Sequence, residues 1–364
     1  MKIAIVHDYL NQFGGAERVL AALHEIFPSA PIYTSIYDEK RMPGIFRQMD
    51  IRTSFMQKLP FIYKLYRYYF LLYPIAFEQF DLSGYDLILS SSSAFAKGVK
   101  KSKNQLHICY CYSPMRFVWR FDDYIKQDQF LQLIKNMLSF MLEPIKKWDL
   151  QTASNVDYFI AISSFIADRI QKTYQKESVI IYPPVETELF TPSSISGDYF
   201  LVISRLNAYK RIDLVIEAFN RLDLPLKIIG SGQDDNRLKK MAKSNIQFLG
   251  KVDDSKLKKY LSECRALIFP GEEDFGIVPV EAMASGRPVI AYRGGGAEET
   301  VIEGKTGLFF DEQTPESLMQ AVEQIKFMNF DRDEIRKQAE VFSKRQFQQK
   351  IKEFIEKKYI LWKN

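Results

Sequence analysis

The 364 residues carry 50 Lys+Arg against 45 Asp+Glu, a net charge of +5, with 46% hydrophobic and 26% charged residues. That balance excludes intrinsic disorder and a multi-span membrane protein, and it leaves no electrostatic footprint for nucleic acid. At roughly 150 residues per domain the length predicts two domains. The 3 Cys cannot build a disulfide framework, and Cys109-Tyr110-Cys111 lacks the spacing of a redox or zinc pair, so a reducing cytoplasm is expected. No secretory signal is legible, because Ile3–Val6 is short and runs into His7-Asp8. No uncharged apolar run of about 18 residues occurs to span a bilayer.

The chain opens with a strand over Lys2–His7, followed by the turn residues Gly14-Gly15 and the apolar-periodic Val19–Leu23. Further strands are predicted at Ala30–Ile36, Leu87–Ser90, Leu106–Cys111 and Tyr158–Ile162, and helices at Phe130–Gln151 and Ser164–Thr173. A boundary is expected near Tyr182-Pro183-Pro184-Val185, where prolines lead into the polar stretch 191–197. Beyond it strands at Tyr199–Ser204, Leu226–Ile229, Ile246–Leu249, Ala266–Phe269 and Pro288–Ala291 alternate with helices at Arg211–Leu222, Asp234–Lys243, Asp254–Cys264, Val278–Ser285 and Pro315–Ile325. Such alternation predicts α/β architecture with parallel sheets. The amphipathic tail Phe342–Trp362 reads as a helix or helix pair.

The densest chemical signal is Glu272-Glu273-Asp274-Phe275-Gly276-Ile277-Val278-Pro279-Val280-Glu281. A strand ends just before it, and a helix with Pro279 in its first turn follows, where a missing N–H is harmless. Helix N-termini at the carboxyl ends of parallel strands offer backbone N–H groups to phosphate. Glu273 and Glu281, eight positions apart, supply carboxylates that accept from vicinal hydroxyls. This stretch resembles the E-x7-E signature of the retaining group 1 (family 4) glycosyltransferases, close to bacterial mannosyltransferase-like enzymes, and the resemblance covers nearly the whole chain.

The resemblance implies a GT-B fold: two facing Rossmann-like domains, with residues 1–185 on the acceptor side, 198–340 binding the nucleotide sugar, and a C-terminal helix over 341–364 crossing back to the first domain. It implies a metal-independent, retaining transfer of a hexose from a nucleotide-diphosphate sugar to a hydroxyl of a glycan or lipid-linked acceptor in surface polysaccharide synthesis, with no cofactor. GDP-mannose is favoured as donor; UDP-glucose and UDP-N-acetylglucosamine stay open. Arg205 and Lys210, five residues apart after a strand, resemble the family's diphosphate-binding cations, with Arg211 adjacent. Glu273 then binds sugar hydroxyls, Glu281 the ribose, and the backbone of Phe275, Gly276 and Ile277 the sugar-phosphate end. Gly14 and Gly15 resemble the family's N-terminal glycine loop, Gly230 its strand-end turn, and Val252 the segment whose backbone meets the base. Gly294–Gly296 and Thr306-Gly307-Leu308 match the family as turn glycines.

One position departs from the pattern. In Tyr112-Ser113-Pro114-Met115-Arg116 the tyrosine stands where close relatives carry a histidine expected to touch the transferred sugar. Tyr112 stands with Glu273, Arg205 and Lys210 as a catalytic candidate because it keeps a hydroxyl donor, although with a reference pKa near 10 it is no base near neutral pH. His7 and Arg116 are acceptor-side candidates, and Lys97 is a further anion-binding candidate. Two other readings remain: a non-catalytic nucleotide-sugar-binding module and a GT-B epimerase. Asp331-Arg332-Asp333 reads as a helix cap rather than a metal motif, and Asp122-Asp123, Asp234-Asp235 and Asp253-Asp254 lack further ligands at metal spacing. Finally, 58–77 interleaves Lys58, Lys64 and Arg67 with aromatic and aliphatic residues. That suits contact with an anionic membrane surface, with Lys97, Lys100, Lys101 and Lys103 adding to the basic run.

Overall fold

The computed structural model describes residues 1–120, 132–195 and 197–364, with side chains for all of these but 132–139. The chain divides into two compact units, Met1–Pro184 with Phe347–Asn364, and Val185–Gln346.

The first unit is built on a seven-stranded parallel sheet: β1 Ile3–His7, β2 Ile32–Thr34, β3 Ile51–Thr53, β4 Leu87–Ser92, β5 Leu106–Cys111, β6 Tyr158–Ala161 and β7 Ser178–Ile180. The order is β3-β2-β1-β4-β5-β6-β7, so it reverses between β1 and β4. β1, β4 and β5 are buried along their whole length, which is why Ile3–Val6 and Leu87–Leu89 read as apolar runs without alternation. Tyr73 stacks on Phe95 at 4.5 Å inside the aromatic core of this unit. The tail is one helix, Lys344–Lys363. Its Phe347 packs edge-on against Tyr110 at 5.6 Å, and its Gln348 amide donates to Glu25 at 2.8 Å.

The second unit holds six parallel strands: β8 Phe200–Ile203, β9 Leu226–Ile229, β10 Ile246–Gly250, β11 Leu267–Phe269, β12 Val289–Tyr292 and β13 Gly307–Phe310, in the order β10-β9-β8-β11-β12-β13. Here the reversal lies between β8 and β11. The helices Ile212–Leu222 and Pro315–Ile325 cover the sheet with Leu214, Val215, Phe219, Leu318 and Val322, all buried.

Three strands lie outside the sequence expectation. β3 and β7 are three-residue edge strands with exposed positions, and so present no apolar run. β13 opens on a glycine read as a turn. A Cβ on Gly307 would sit 2.0 Å from the Val289 carbonyl oxygen, so strand pairing itself demands the glycine.

His107, wholly buried on β5, is pushed down to about 3 by its burial. Its folded value lies below the unfolded reference of about 6.5. The stability it contributes is therefore complete above that reference and is lost as pH falls from there toward 3. Urea unfolding at pH 7 and pH 5 should show a loss in the native chain that His107→Gln reduces; an equal loss in both would refute the assignment.

Candidate functional site

In parallel sheets of this kind ligands meet the carboxyl edge where strand order reverses. In the second unit that point is flanked by the loop after β8, Ser204–Arg211, and the loop after β11, Pro270–Gly276. The Lys210 ammonium, from the first loop, pairs with the Glu273 carboxylate of the second. It also lies 5.0 Å from the centroid of the Tyr209 ring. Arg205 is exposed and has no ion-pair partner among the described residues. Arg211 is turned away by a left-handed backbone (φ 55°). Its guanidinium reaches Asp213 and Gln313 at 3.3 and 3.2 Å, and the Gln313 amide donates to the Pro270 carbonyl at 3.0 Å. The two neighbouring cations therefore differ: Lys210 faces the strand-end loops, and Arg211 fastens a helix start to the end of β11.

Close backbone packing holds these loops. Gly230 has φ 135°, and a Cβ there would fall 1.8 Å from the Ser204 carbonyl oxygen, so only glycine lets the turn after β9 lie on the loop after β8. The Gly230 N–H donates to the Gly250 carbonyl at 2.8 Å, linking the ends of β9 and β10. Val252 lies just past β10, the outer strand, and is half-buried. The Glu273 carbonyl accepts from the Gly296 N–H at 2.8 Å. Phe275 buries its ring edge-on to Phe342 at 5.6 Å. Gly276, in the left-handed region, caps the helix Ile277–Ala284, which carries the buried Glu281. The structure thus gathers Arg205, Lys210, Gly230, Glu273, Phe275 and Gly276 on loops at one sheet edge, with Ile277 opening and Glu281 carried by the following helix, and Val252 at the margin.

The remaining candidates belong to the first unit, at the reversal between β1 and β4. His7 ends β1 in register with Ser91 of β4, and its Nδ1 lies 3.0 Å from Ser91 Oγ. His7 Nε2 is 3.9 Å from Glu17 Oε1, both side chains 3% exposed. Glu17 stands in the first turn of the helix Gly15–Ile26, and its other oxygen accepts the Gly14 N–H at 2.7 Å. The Tyr112 hydroxyl donates to the Ala16 carbonyl at 3.0 Å and lies 2.7 Å from Ser91 Oγ. Burial holds that phenol well above its ordinary range. Arg116 opens the short helix Arg116–Trp119 and is half-buried.

Asp8, Glu17 and Ser91 were not among the sequence candidates. Asp8 accepts backbone N–H groups from Ser93, Ala94, Phe95 and Ala96 at 2.6–3.1 Å, pinning the loop after β4. Glu17 had a legible signal, three residues after the N-cap Gly14. Lys97 is corrected. It is 2% exposed and paired with Asp149, so it offers no anion site and does not extend a basic surface. Lys100 and Lys101 pair with Glu78 and Asp157 at 3.3 and 2.5 Å.

Among the described residues no group of three or more His, Cys, Asp or Glu side chains is placed to hold a metal ion. Asp331 caps the helix Arg332–Glu340, accepting from the N–H groups of Asp333 and Glu334 at 2.8 and 3.2 Å. Asp234 and Asp253 are held by Arg237 and the Lys256 N–H; Asp122-Asp123 lies outside the described residues.

Residues 191–342, which contain the whole charged edge of the second unit, match the family described as glycosyl transferases, group 1. The chain carries a group 1 glycosyltransferase domain. An uncharacterized glycosyltransferase of Methanocaldococcus jannaschii, MJ1178, is 31% identical over 176 residues, 46% of this chain and 49% of that protein. The chain thus spans about half the length of that relative. The alpha-1,3/1,6-mannosyltransferase ALG2 of Dictyostelium discoideum is 25% identical over 84% of this chain and 85% of its own. Among solved structures, sucrose-phosphate synthase from Thermosynechococcus elongatus superposes with a TM-score of 0.78 at 18% identity, covering 99% of this chain and 100% of that one. Anabaena Alr3699/HepE in complex with UDP gives 0.71 at 17% identity, covering 98% and 100%. These likenesses show the GT-B fold, and the group 1 match falls in the second unit.

Proposed function

We propose that the protein is a retaining, metal-independent glycosyltransferase that moves a hexose, mannose in the favoured reading, from a nucleotide-diphosphate sugar to an acceptor hydroxyl. The observation that carries this is the pairing of Lys210 with Glu273 beside Arg205 at the strand reversal of the group 1 domain. Two cations there neutralise a diphosphate and stabilise it as it leaves. Glu273 takes sugar hydroxyls, Glu281 the ribose, and the first N–H groups of the helix Ile277–Ala284 the sugar-phosphate end. The bond from the anomeric carbon to the phosphate oxygen breaks, the acceptor oxygen bonds to that carbon on the same face, and the departing phosphate takes the acceptor proton. His7 and Arg116 serve the acceptor side. The name of the ALG2 relative supports mannose.

A thermal-shift panel of GDP-, UDP-, ADP- and dTDP-sugars in chelator, followed by NMR of donor hydrolysis, tests this. A selective shift with release of an α-sugar from an α-linked donor supports it. No shift with any nucleotide would remove the binding assignments, and an altered nucleotide sugar formed without acceptor would make the protein an epimerase.

The acceptor is proposed to be glycan- or lipid-linked and met at an anionic membrane surface on the cytoplasmic side. Phe61, Leu65, Tyr68, Leu71 and Ile75 are exposed, at 75, 38, 79, 44 and 50%. Lys58, Lys64 and Arg67 are exposed among them, and no acidic residue occurs from Ile51 to Phe77. Rings and aliphatic groups at headgroup depth with bases on anionic lipid suit such a surface. No described helix is long and apolar enough to cross a membrane. The chain should pellet with anionic vesicles and do so less after Lys64→Glu with Arg67→Glu; equal pelleting of both would sink the assignment.

A further inference from the structure

The hydrogen bonds joining Tyr112, Ser91 and His7 leave no freedom in where their protons lie. Tyr112 has one hydroxyl proton, and it goes to the Ala16 carbonyl at 3.0 Å, an oxygen that only accepts. The 2.7 Å contact between Tyr112 and Ser91 is therefore filled by the Ser91 proton. With that proton used, the 3.0 Å contact between Ser91 Oγ and His7 Nδ1 needs its proton from the ring. We infer that Tyr112, acting through Ser91, fixes the neutral His7 ring as the Nδ1–H tautomer and leaves Nε2 as its accepting nitrogen.

The direction of the chain matters because of what it ends on. Nε2 faces Glu17 Oε1 at 3.9 Å, acceptor toward acceptor, with both groups enclosed. Left to itself, a neutral ring there would carry its proton on Nε2, toward the carboxylate. The Tyr112–Ser91 pair imposes the opposite arrangement. Glu17 is also the group that holds the Gly14 N–H, so the ordered chain runs from the loop after β5 to the glycine turn after β1.

Tyr112 is on this account a positioning residue, its hydroxyl directed inward to Ala16 and Ser91. The imidazole it orders is His7, two strands away in the sheet. The tautomer itself does not rest on the acceptor-side role proposed for His7.

The test is the long-range proton–nitrogen spectrum of the full chain with nitrogen-15 in its histidines, recorded at a pH where the His7 ring is neutral. There are 3 His, and His7→Gln identifies the signals. The native ring should show a pyrrole-type Nδ1 and a pyridine-type Nε2. In Tyr112→Phe the Ser91 hydroxyl loses its acceptor and turns to donate to Nδ1, so the pattern should invert to Nε2–H. Ser91→Ala should invert it as well. A native Nε2–H ring, or a folded Tyr112→Phe chain that keeps Nδ1–H, overturns the inference. Should Tyr112→Phe fail to fold, the native and Ser91→Ala spectra decide. Loss of packing alone would not invert a tautomer, and activity assays with and without acceptor test the role of His7 separately.

Discussion

Glu273→Ala should lower turnover by about 10²–10³-fold, the range for removing one preorganised group at a reacting centre, while leaving the group 1 domain folded. The side chain is 29% exposed, and the contact that fastens its loop, Gly296 N–H to the Glu273 carbonyl, is made by the backbone and survives in alanine. The substitution also releases Lys210 from its carboxylate partner. Affinity for the bare nucleoside diphosphate should therefore hold or tighten while kcat falls. Lys210→Ala should do the reverse to the first quantity, weakening the nucleoside diphosphate itself. Calorimetric titration of the nucleoside diphosphate beside steady-state kinetics reads both. A Glu273→Ala enzyme with full turnover removes the sugar-side role. Parallel loss of diphosphate affinity in both variants would mean that the pair acts as one structural unit.

The parts of this site that were legible in the sequence are those that lie close together in the chain. Glu273, Gly276, Pro279 and Glu281 fall within one loop and helix, and Arg205 and Lys210 within another loop, so each set shows as a charged turn after a strand end, and the resemblance to the group 1 family supplied the roles expected of them. The central strands were legible because both of their faces are covered and their composition shows it. What escaped depends on partners distant in sequence. Tyr112 reads as a hydroxyl facing the transferred sugar until the register of β1 on β4 sets His7 against Ser91, 84 residues on, and draws the phenol inward to that pair. Lys97 reads as a free cation in a basic run until Asp149, 52 residues on, is brought to it. The short edge strands β3 and β7 escaped for the opposite reason, since too little of their surface is covered to leave a pattern.

Asp149→Ala should destabilise the first unit more than any other single change considered for it. The carboxylate is fully buried and closes three interactions at once. Its Oδ1 pairs with the Lys97 ammonium, and its Oδ2 accepts from Trp119 Nε1–H at 2.7 Å and the Tyr174 hydroxyl at 2.8 Å. Its own carbonyl accepts from Thr152 Oγ1 at 3.1 Å, and this bond alone survives the substitution. Lys97 has few other comforts: the Ala94 carbonyl at 3.3 Å, and the rings of Tyr174 and Trp148 at 5.3 and 5.9 Å. Removing the acid leaves a buried ammonium without its counter-ion and the Trp119 and Tyr174 donors without their acceptor, a loss of about 3–5 kcal/mol, against a total stability on the order of 5–15 kcal/mol. For a unit of this size the melting transition should fall on the order of 10 °C. The pair as such contributes far less than its disruption costs, because desolvating both ions offsets most of their attraction. Lys97→Met combined with Asp149→Leu should therefore recover most of the loss seen in Asp149→Ala. Scanning calorimetry of the three chains measures this directly. A double variant no more stable than Asp149→Ala would show that Trp119 and Tyr174, rather than the ion pair, set the energetics of this core.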